Sequence, residues 1–568
     1  ADSQIDGRLY LYLYLYLYRE YLILTDDARI LSARRVVTMN PSMPFATHVL
    51  VRDGRVLATG SLEEVSNWGD FPIDDTFGDS ILLPGFVEGH SHMMAGGIWR
   101  YTYVGFHDRE DPNGKHWRGI YNIKDLAIRL AESEKALAGS DDPLICWGFD
   151  PIFFNEKRLN RHDLDRVSST RPIVVWHSNF HLMTVNSVAL AMVGYDPGTN
   201  IEGVLLDDDG SPNGELQELA AMFPLMRRLK INLREFGNSA QSIEAYGRVA
   251  RRCGVTTATD LFNDLLDEDI RQLNEATLSD EYPLRLVPAL SGHSGTPDDI
   301  AQRAKEISAT RNDKLRLGLV KLMTDGSIQG FTAQLKWPGY YRGPNHGIWN
   351  IAPEALFDLV GTLNREGLQV HVHVNGDAAS ELAIKAFKKA LTHHPRPDHR
   401  HTLQHCQMAD RSQFHQMAAL RLGVNLFANH IFFFGDQHRD ITMGPERASR
   451  MDACRTALDE GVNLSIHSDA PVTPMGPLTV AWCAANRLTG SGQVLGPMEC
   501  ITLDEAMRAI TLGPARSLHL DHEIGSIESG KRADFAILDA DPYEVGAAEL
   551  NKINVIGTVV GGTAFTDL

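Results

Sequence analysis

The chain has 568 residues, of which 43% are apolar and 22% charged, the balance of a soluble globular protein larger than one ordinary domain. Its formal net charge of −19 and the lack of any Lys/Arg-rich run make nucleic acid and anionic membrane surfaces poor partners, and no apolar run reaches the length of a membrane span. The six cysteines, Cys146, Cys253, Cys406, Cys454, Cys483 and Cys500, form no CxxC pair, which argues against a disulfide framework or zinc knuckle and points to a reducing cytoplasm.

Residues 1–20 are atypical. Leu9 to Tyr18 reads Leu-Tyr five times over, β-prone but without apolar–polar alternation. The segment lacks the basic start and small-residue cleavage site of a signal peptide. An edge strand and a segment foreign to the fold are both open readings, and no catalytic role is expected of it. From residue 21 the pattern is ordinary. Ala33–Met39 and Ala46–Gly60 read as short strands around an Asp53-Gly54 hairpin turn. The far C-terminus has a similar texture, with a turn and strand in Gly525–Asp539 and another strand in Val555–Val560. Residues 21–80 and 520–568 are expected to pair into one composite β-sandwich.

Between these ends, β-rich runs alternate with helical stretches: Ile81–Val87, Val255–Asp260, Leu284–Leu290, Leu315–Met323, Leu368–Val374, His401–Cys406, Gly423–Phe427 and Val462–Ser468. Eight such strands over residues 81–519 fit an α/β fold of the (β/α)₈ TIM-barrel type better than an open doubly wound sheet. The stretch from about 95 to 245 is too long for one helix and contains its own strand-like run, Pro172–Trp176. It reads as a cap insertion after barrel strand 1, lying over the barrel mouth.

Polar residues gather where these strands end. His90 and His92 are two apart, so on a strand they share a face and can grip one metal ion. A pair of turn histidines would look the same in sequence. Strand five ends His371-Val-His373, strand six Gln404-His405, and strand eight His467-Ser-Asp469. Lys321 interrupts an apolar run in strand four, where an ammonium is costly unless paired, modified or metal-bound. Histidines kept for stability alone would have no reason to recur at equivalent strand ends, whereas zinc chemistry needs them to converge there.

Six motifs then occur in order: Pro84-Gly-Phe-Val-Glu-Gly-His-Ser-His92, Val320-Lys-Leu-Met-Thr-Asp-Gly-Ser327, His373-Val-Asn-Gly-Asp-Ala378, His405-Cys-Gln-Met408, Ser468-Asp-Ala-Pro-Val472 and Gly530-Lys-Arg-Ala-Asp-Phe535. Together they resemble the amidohydrolase superfamily, in particular its YtcJ-like branch (amidohydrolase family 3), which includes N-substituted formamide deformylases. The resemblance runs from about residue 30 to the C-terminus. It implies a metal site of His90, His92, Lys321, His373, His405 and Asp469. His90 and His92 would hold one ion. His373 and His405 would sit on a second, or one of them would contact substrate. Lys321 would bridge as its carbamate, and Asp469 would be the general base. The cofactor implied is Zn²⁺, one or two ions, with another divalent metal left open.

The branch's His-x₄-Asn-Ser element is similar to His181 with Asn186-Ser187, its Gly-x₃-Glu element to Gly214–Glu218, and its His-x₄-Gly-Asp element to His430 through Asp436. His430 or His181 would steady the developing oxyanion, though His181 reads equally as a core histidine of the cap. Candidate substrate contacts are Trp99, Phe154, Glu218, His371 and His430. Dense aromatics along the mouth-side segments read mostly as cap packing, with an apolar pocket for an aromatic or alkyl group as the sharper alternative. The role of His467 is open, and Cys406 is expected to face the core. The expected partner is a small-molecule substrate, with a homodimer left open. The implied activity is metal-dependent hydrolysis of an amide-type C–N bond. A deaminase or cyclic-amide hydrolase on the same site, and a metal-binding regulatory protein on an inactive barrel, are the alternatives.

Overall fold

The structure, a computed structural model, describes residues 28–154, 158–231, 233–293, 295–343 and 346–566, with no side chains described for 232–235. The Leu-Tyr repeat lies outside the described residues.

Eight strands form one parallel sheet: β1 (Phe86–Glu88), β2 (Val255–Asn263), β3 (Arg285–Ser291), β4 (Val320–Met323), β5 (Val370–Val374), β6 (Thr402–His405), β7 (Gly423–Leu426) and β8 (Asn463–Ile466), each hydrogen-bonded to the next in sequence. Helices separate them, for example Asp267–Leu278 after β2, Pro297–Ser308 after β3, Pro353–Arg365 after β4 and Asp377–His393 after β5. A capping box starts one of them, where Thr296 accepts from the backbone of Asp299 and Asp299 reaches back to Thr296. The strands' outward Val, Leu and Ile side chains pack against these helices in one continuous core. Just past their ends, β1 and β8 are joined by two backbone hydrogen bonds. Asp469 N–H donates to His90 O (3.1 Å), and His92 N–H donates to Ala470 O (2.8 Å).

The chain ends come together in a second, seven-stranded mixed sheet. Its order is Thr563–Phe565, Val555–Val560, Phe535–Leu538, Ile73–Pro84, Arg29–Val37, Phe45–Arg52 and Arg55–Gly60. The expected pairing of the two ends is thus realised as one sheet. The Asp53-Gly54 turn has φ of +50° and +69°, the left-handed pair that a tight hairpin of matching twist requires. The run Ile81–Val87, expected as a single barrel strand, is divided between the two sheets. Up to Pro84 it pairs with Phe535–Leu538, and from Phe86 it pairs with β2. Proline has no N–H to continue a ladder. Gly85 lies so close to Thr256 that a Cβ there would stand 2.0 Å from its hydroxyl oxygen.

Residues between β1 and β2 form a third sheet of six strands, in the order Val204–Leu206, Pro212–Gln217, Leu182–Val185, Ile173–His177, Leu144–Phe149 and Thr102–Tyr103. Its faces carry their own apolar clusters, one around Trp147 and Trp176 and the other around Phe149 and Phe154. All six cysteines are free. No helix among the described residues is long and apolar enough to cross a membrane.

A buried ion pair fastens the end sheet to the parallel sheet. Arg285 of β3 donates from Nε (2.6 Å) and Nη2 (3.0 Å) to the Asp534 carboxylate, which also accepts the Gly561 N–H. Removing one member of such a pair strands the other charge. Asp534→Ala should lower stability by about 3 kcal/mol, since Asp313 still touches Arg285 and compensates in part. A denaturant midpoint equal to the parent's, at equal slope, would show that the pair does not hold the sheets together.

Candidate metal centre

The centre is built at the C-terminal ends of the strands. The ladders set its levels: Lys321 of β4 faces His371 of β5, Met323 faces His373, and His373 faces Gln404 of β6. Residues two apart share a face, so His371 lies one level deeper than His373. Beyond β1, His90 and His92 converge on Asp469, which follows β8. His90 Nε2 stands 3.4 Å and His92 Nε2 3.3 Å from Asp469 Oδ1. That oxygen is buried and has no hydrogen-bond partner among the described residues. Two sets of donors lie within 4.8 Å of one another: His90, His92 and Asp469, and His90, His405 and His467. Ligands about 2.0 Å from a tetrahedral zinc ion are about 3.3 Å apart, so the first set has the spacing of a metal site. His373 packs on His405 with ring centroids 4.6 Å apart, and His181 on His373 at 5.4 Å.

A second layer orients these groups. His90 Nδ1–H donates to Gln404 Oε1 (2.9 Å), and Gln404 Nε2 donates to His371 Nδ1 (2.8 Å). Ser468 donates through N–H (3.1 Å) and Oγ (2.8 Å) to Glu88, whose carboxyl burial raises to about 8. Asp260, at the end of the run read as strand two, lies 3.8 Å from His92 Nδ1. Burial alone would lower His92, but Asp260 and Asp469 raise it to about 9. Burial lowers Lys321 from the usual 10.5 to about 7, with Asp469 opposing.

A cavity of about 660 Å³ opens onto this cluster, with His90, His92, Lys321, His373, His405 and Asp469 on its floor. His181 and Glu218 line it from the inserted segment, joined through His181 Nδ1 and Glu218 Oε2 at 2.9 Å. The other expected substrate contacts lie elsewhere. Phe154, which ends the short helix Pro151–Phe153, stacks on Phe149 in the insertion's own core. Trp99 packs edge-on against Trp147 and lines a separate cavity behind the loop after β8. His371 sits below the cluster, with Nε2 donating to Ser517 O (3.1 Å). His430 is buried off the cavity, 3.4 Å from Asp452 and against Phe427. Cys406 is in the core, as expected.

Two lining groups escaped the sequence reading. Asp260 carried the same signal as the histidines, an acid at a strand end. His293, two residues past β3 and on the cavity wall, carried it more weakly. Gln404 was read as a polar strand end, but its orienting role was not assigned, since it has no titratable group.

A parallel eight-stranded α/β sheet that gathers imidazoles and a buried carboxylate around an ion-sized gap defines a metal-dependent hydrolase. The sequence signature of the amidohydrolase family matches residues 78–564, and the chain belongs to that family. It is similar to the N-substituted formamide deformylase of Arthrobacter pascens, 25% identical over 96% of this chain and 98% of the relative. It is also similar to the protein LONG AFTER FAR-RED 3 of Arabidopsis thaliana, 24% identical over 93% and 89%. Among solved structures, an uncharacterized metal-dependent hydrolase of Pyrococcus horikoshii OT3 shares the fold, with a TM-score of 0.68 and 20% identity over 91% of this chain and 98% of that one.

His90 belongs to both donor sets, so His90→Ala should abolish most metal uptake while the circular dichroism spectrum stays native. Gln404→Leu keeps every donor and loses only their orientation, and should weaken metal affinity about 10- to 100-fold. Metal content equal to the parent's in His90→Ala would remove this cluster as the metal centre.

Proposed function

We propose that the protein hydrolyses the C–N bond of a small amide bearing an apolar N-substituent, with Asp469 as general base. In this reading residues 81–519 form a closed (β/α)₈ barrel, residues 95–245 its cap, and the chain ends a small separate domain. The observation that carries it is Asp469 Oδ1, buried between two imidazoles and left without a hydrogen bond. A carboxylate is expensive in that position unless a cation or a water fills the gap. The N/O donor set suits zinc, held by His90, His92 and Asp469, with His373, His405 and a carbamate on Lys321 serving a second ion. When bound, such an ion polarises the carbonyl and lowers the pKa of its water from 15.7 to about 7.

Asp469 does the proton work. Burial would raise its pKa, but the neighbouring His92, with the charges of His467 and Lys321, outweighs that and holds it at about 2. It is therefore ionised at neutral pH, accepts the proton of the attacking water, and returns it to the departing nitrogen. His181 stands on the cavity wall beside His373, where it steadies the oxygen on which charge develops. The likeness to an N-substituted formamide deformylase over nearly the whole of both chains supports the choice of bond.

Asp469→Asn keeps the size and removes the basicity. It should retain most of the metal and lose about 10²–10⁴-fold in kcat. If Asp469 only capped the following loop, Asn would serve as well, and near-parental kcat with metal bound would reject the mechanism.

Lys321 has no hydrogen-bond or ion-pair partner among the described residues, and burial keeps much of it as a neutral amine near neutral pH. A neutral amine can attack CO₂, forming the N–C bond of a carbamate and releasing a proton. Protein depleted of CO₂ and metal should recover activity faster when bicarbonate accompanies zinc. A plain ammonium turned away from His90 and His373 in a high-resolution holoenzyme structure would refute the carbamate.

A further inference from the structure

The wall of the cavity supplied by helix Glu218–Arg228 is graded along its length. Glu218, at its start, meets the metal cluster through His181. One stripe of the helix then lines the cavity throughout: Leu219, Met222, Phe223, Met226, and at the far end Arg227, with Lys230 just beyond. Met222 and Met226 are buried, Phe223 is half exposed, and Trp176, Phe180 and Phe262 complete the apolar middle. At 1.5 Å per residue, the nine steps from Glu218 to Arg227 place the Arg227 backbone about 13 Å from the cluster end, with Lys230 beyond it.

Neither Arg227 nor Lys230 has a hydrogen-bond or ion-pair partner among the described residues. The acids lining the same cavity do not neutralise them. Asp260 and Asp469 lie at the cluster, Glu218 is engaged with His181, and Asp264 has a partner of its own. The chain as a whole carries −19, so its general field repels anions. Two unpaired cations at the mouth of an apolar passage therefore mark a local reversal of sign.

Resting on the amide-hydrolase reading, we propose that the substrate's apolar substituent ends in an anionic group, a carboxylate, which Arg227 and Lys230 bind while the amide lies at the cluster. The apolar middle selects the chain, and the cations select its end. Three N-substituted formamides with the same straight alkyl chain, ending in carboxylate, methyl or ammonium, test this on the metal-loaded enzyme. The carboxylate compound should have the lowest KM, and its advantage should shrink with added salt. The double variant Arg227→Ala/Lys230→Ala should raise KM for that compound about tenfold with kcat unchanged, and leave the methyl compound alone. Equal KM for the carboxylate and methyl compounds, or an equal shift of both in the double variant, would overturn the proposal while leaving amide hydrolysis standing. If none of the three is cleaved, the reaction assignment is at fault. Calorimetric binding of the same compounds to metal-loaded Asp469→Asn protein then decides the anion site alone: tighter binding of the carboxylate supports it, and equal affinities overturn it.

Discussion

Gln404 ties two histidines together with one amide group, and the chemistry of the centre depends on that tie. Its oxygen accepts from His90 Nδ1 and from Asn425 Nδ2, so its nitrogen must donate, and it does so to His371 Nδ1. His371 is then left to donate through Nε2 to Ser517 O. The tautomer of each ring is set by the one before it, and His90 ends with its Nε2 lone pair facing Asp469. Burial, helped by Lys321, holds His90 well below its ordinary 6.5, and burial does the same for His373 and His405. Neutral imidazoles can crowd to within 4.5–4.7 Å of one another, ring to ring, as His90 does with His405 and His467. Protonated ones would repel.

The turns that carry these groups are strained. Phe180, Glu218, His405, Cys406 and Asp469 all have positive φ, although none is glycine. Such backbone costs about 1–3 kcal/mol per residue and persists only where its surroundings over-determine it. At Cys406 the N–H donates back to Val374 O (2.8 Å). At Asp469 the N–H is taken by His90 O, and Arg109 of the inserted segment donates to Pro471 O (2.8 Å) and Val472 O (2.6 Å). A buried guanidinium spent on two carbonyls fixes the loop behind the carboxylate.

What was legible in the sequence follows from what periodicity can encode. Alternation puts His371 with His373 on one strand face, and β-branched runs mark the eight strands, whereas His90 and His92, read as strand residues, lie in the loop just past β1 and converge there on Asp469. Depth along a strand is not encoded, so His371 and His373 look equivalent although one lies beneath the other. Nor does apolarity say toward which side a residue packs. Phe154 and Trp99 belong to the insertion's own packing, while Met222 and Met226, unremarkable in sequence, face the cavity. The run Ile81–Val87 reads as one strand because hydrophobicity is blind to the Pro84-Gly85 break, where the chain leaves one ladder and enters another.

The division of labour between the strands and the inserted segment has a physical basis. Parallel strands bonded on both sides hold His373 and His405 with little freedom, and the Asp469 N–H to His90 O bond ties together the two groups that lie just past β8 and β1, as metal ligation demands. The insertion supplies the cavity's long wall, and it meets the strand-end loops through Arg109, which holds Pro471 and Val472, and through the Glu218 carboxylate, which accepts from Asn350. Changes further along that helix alter the wall without moving the ligands. Selectivity can therefore vary over an unchanged catalytic floor, and a point where the two meet, Glu218 with its left-handed backbone, is where such variation must stop.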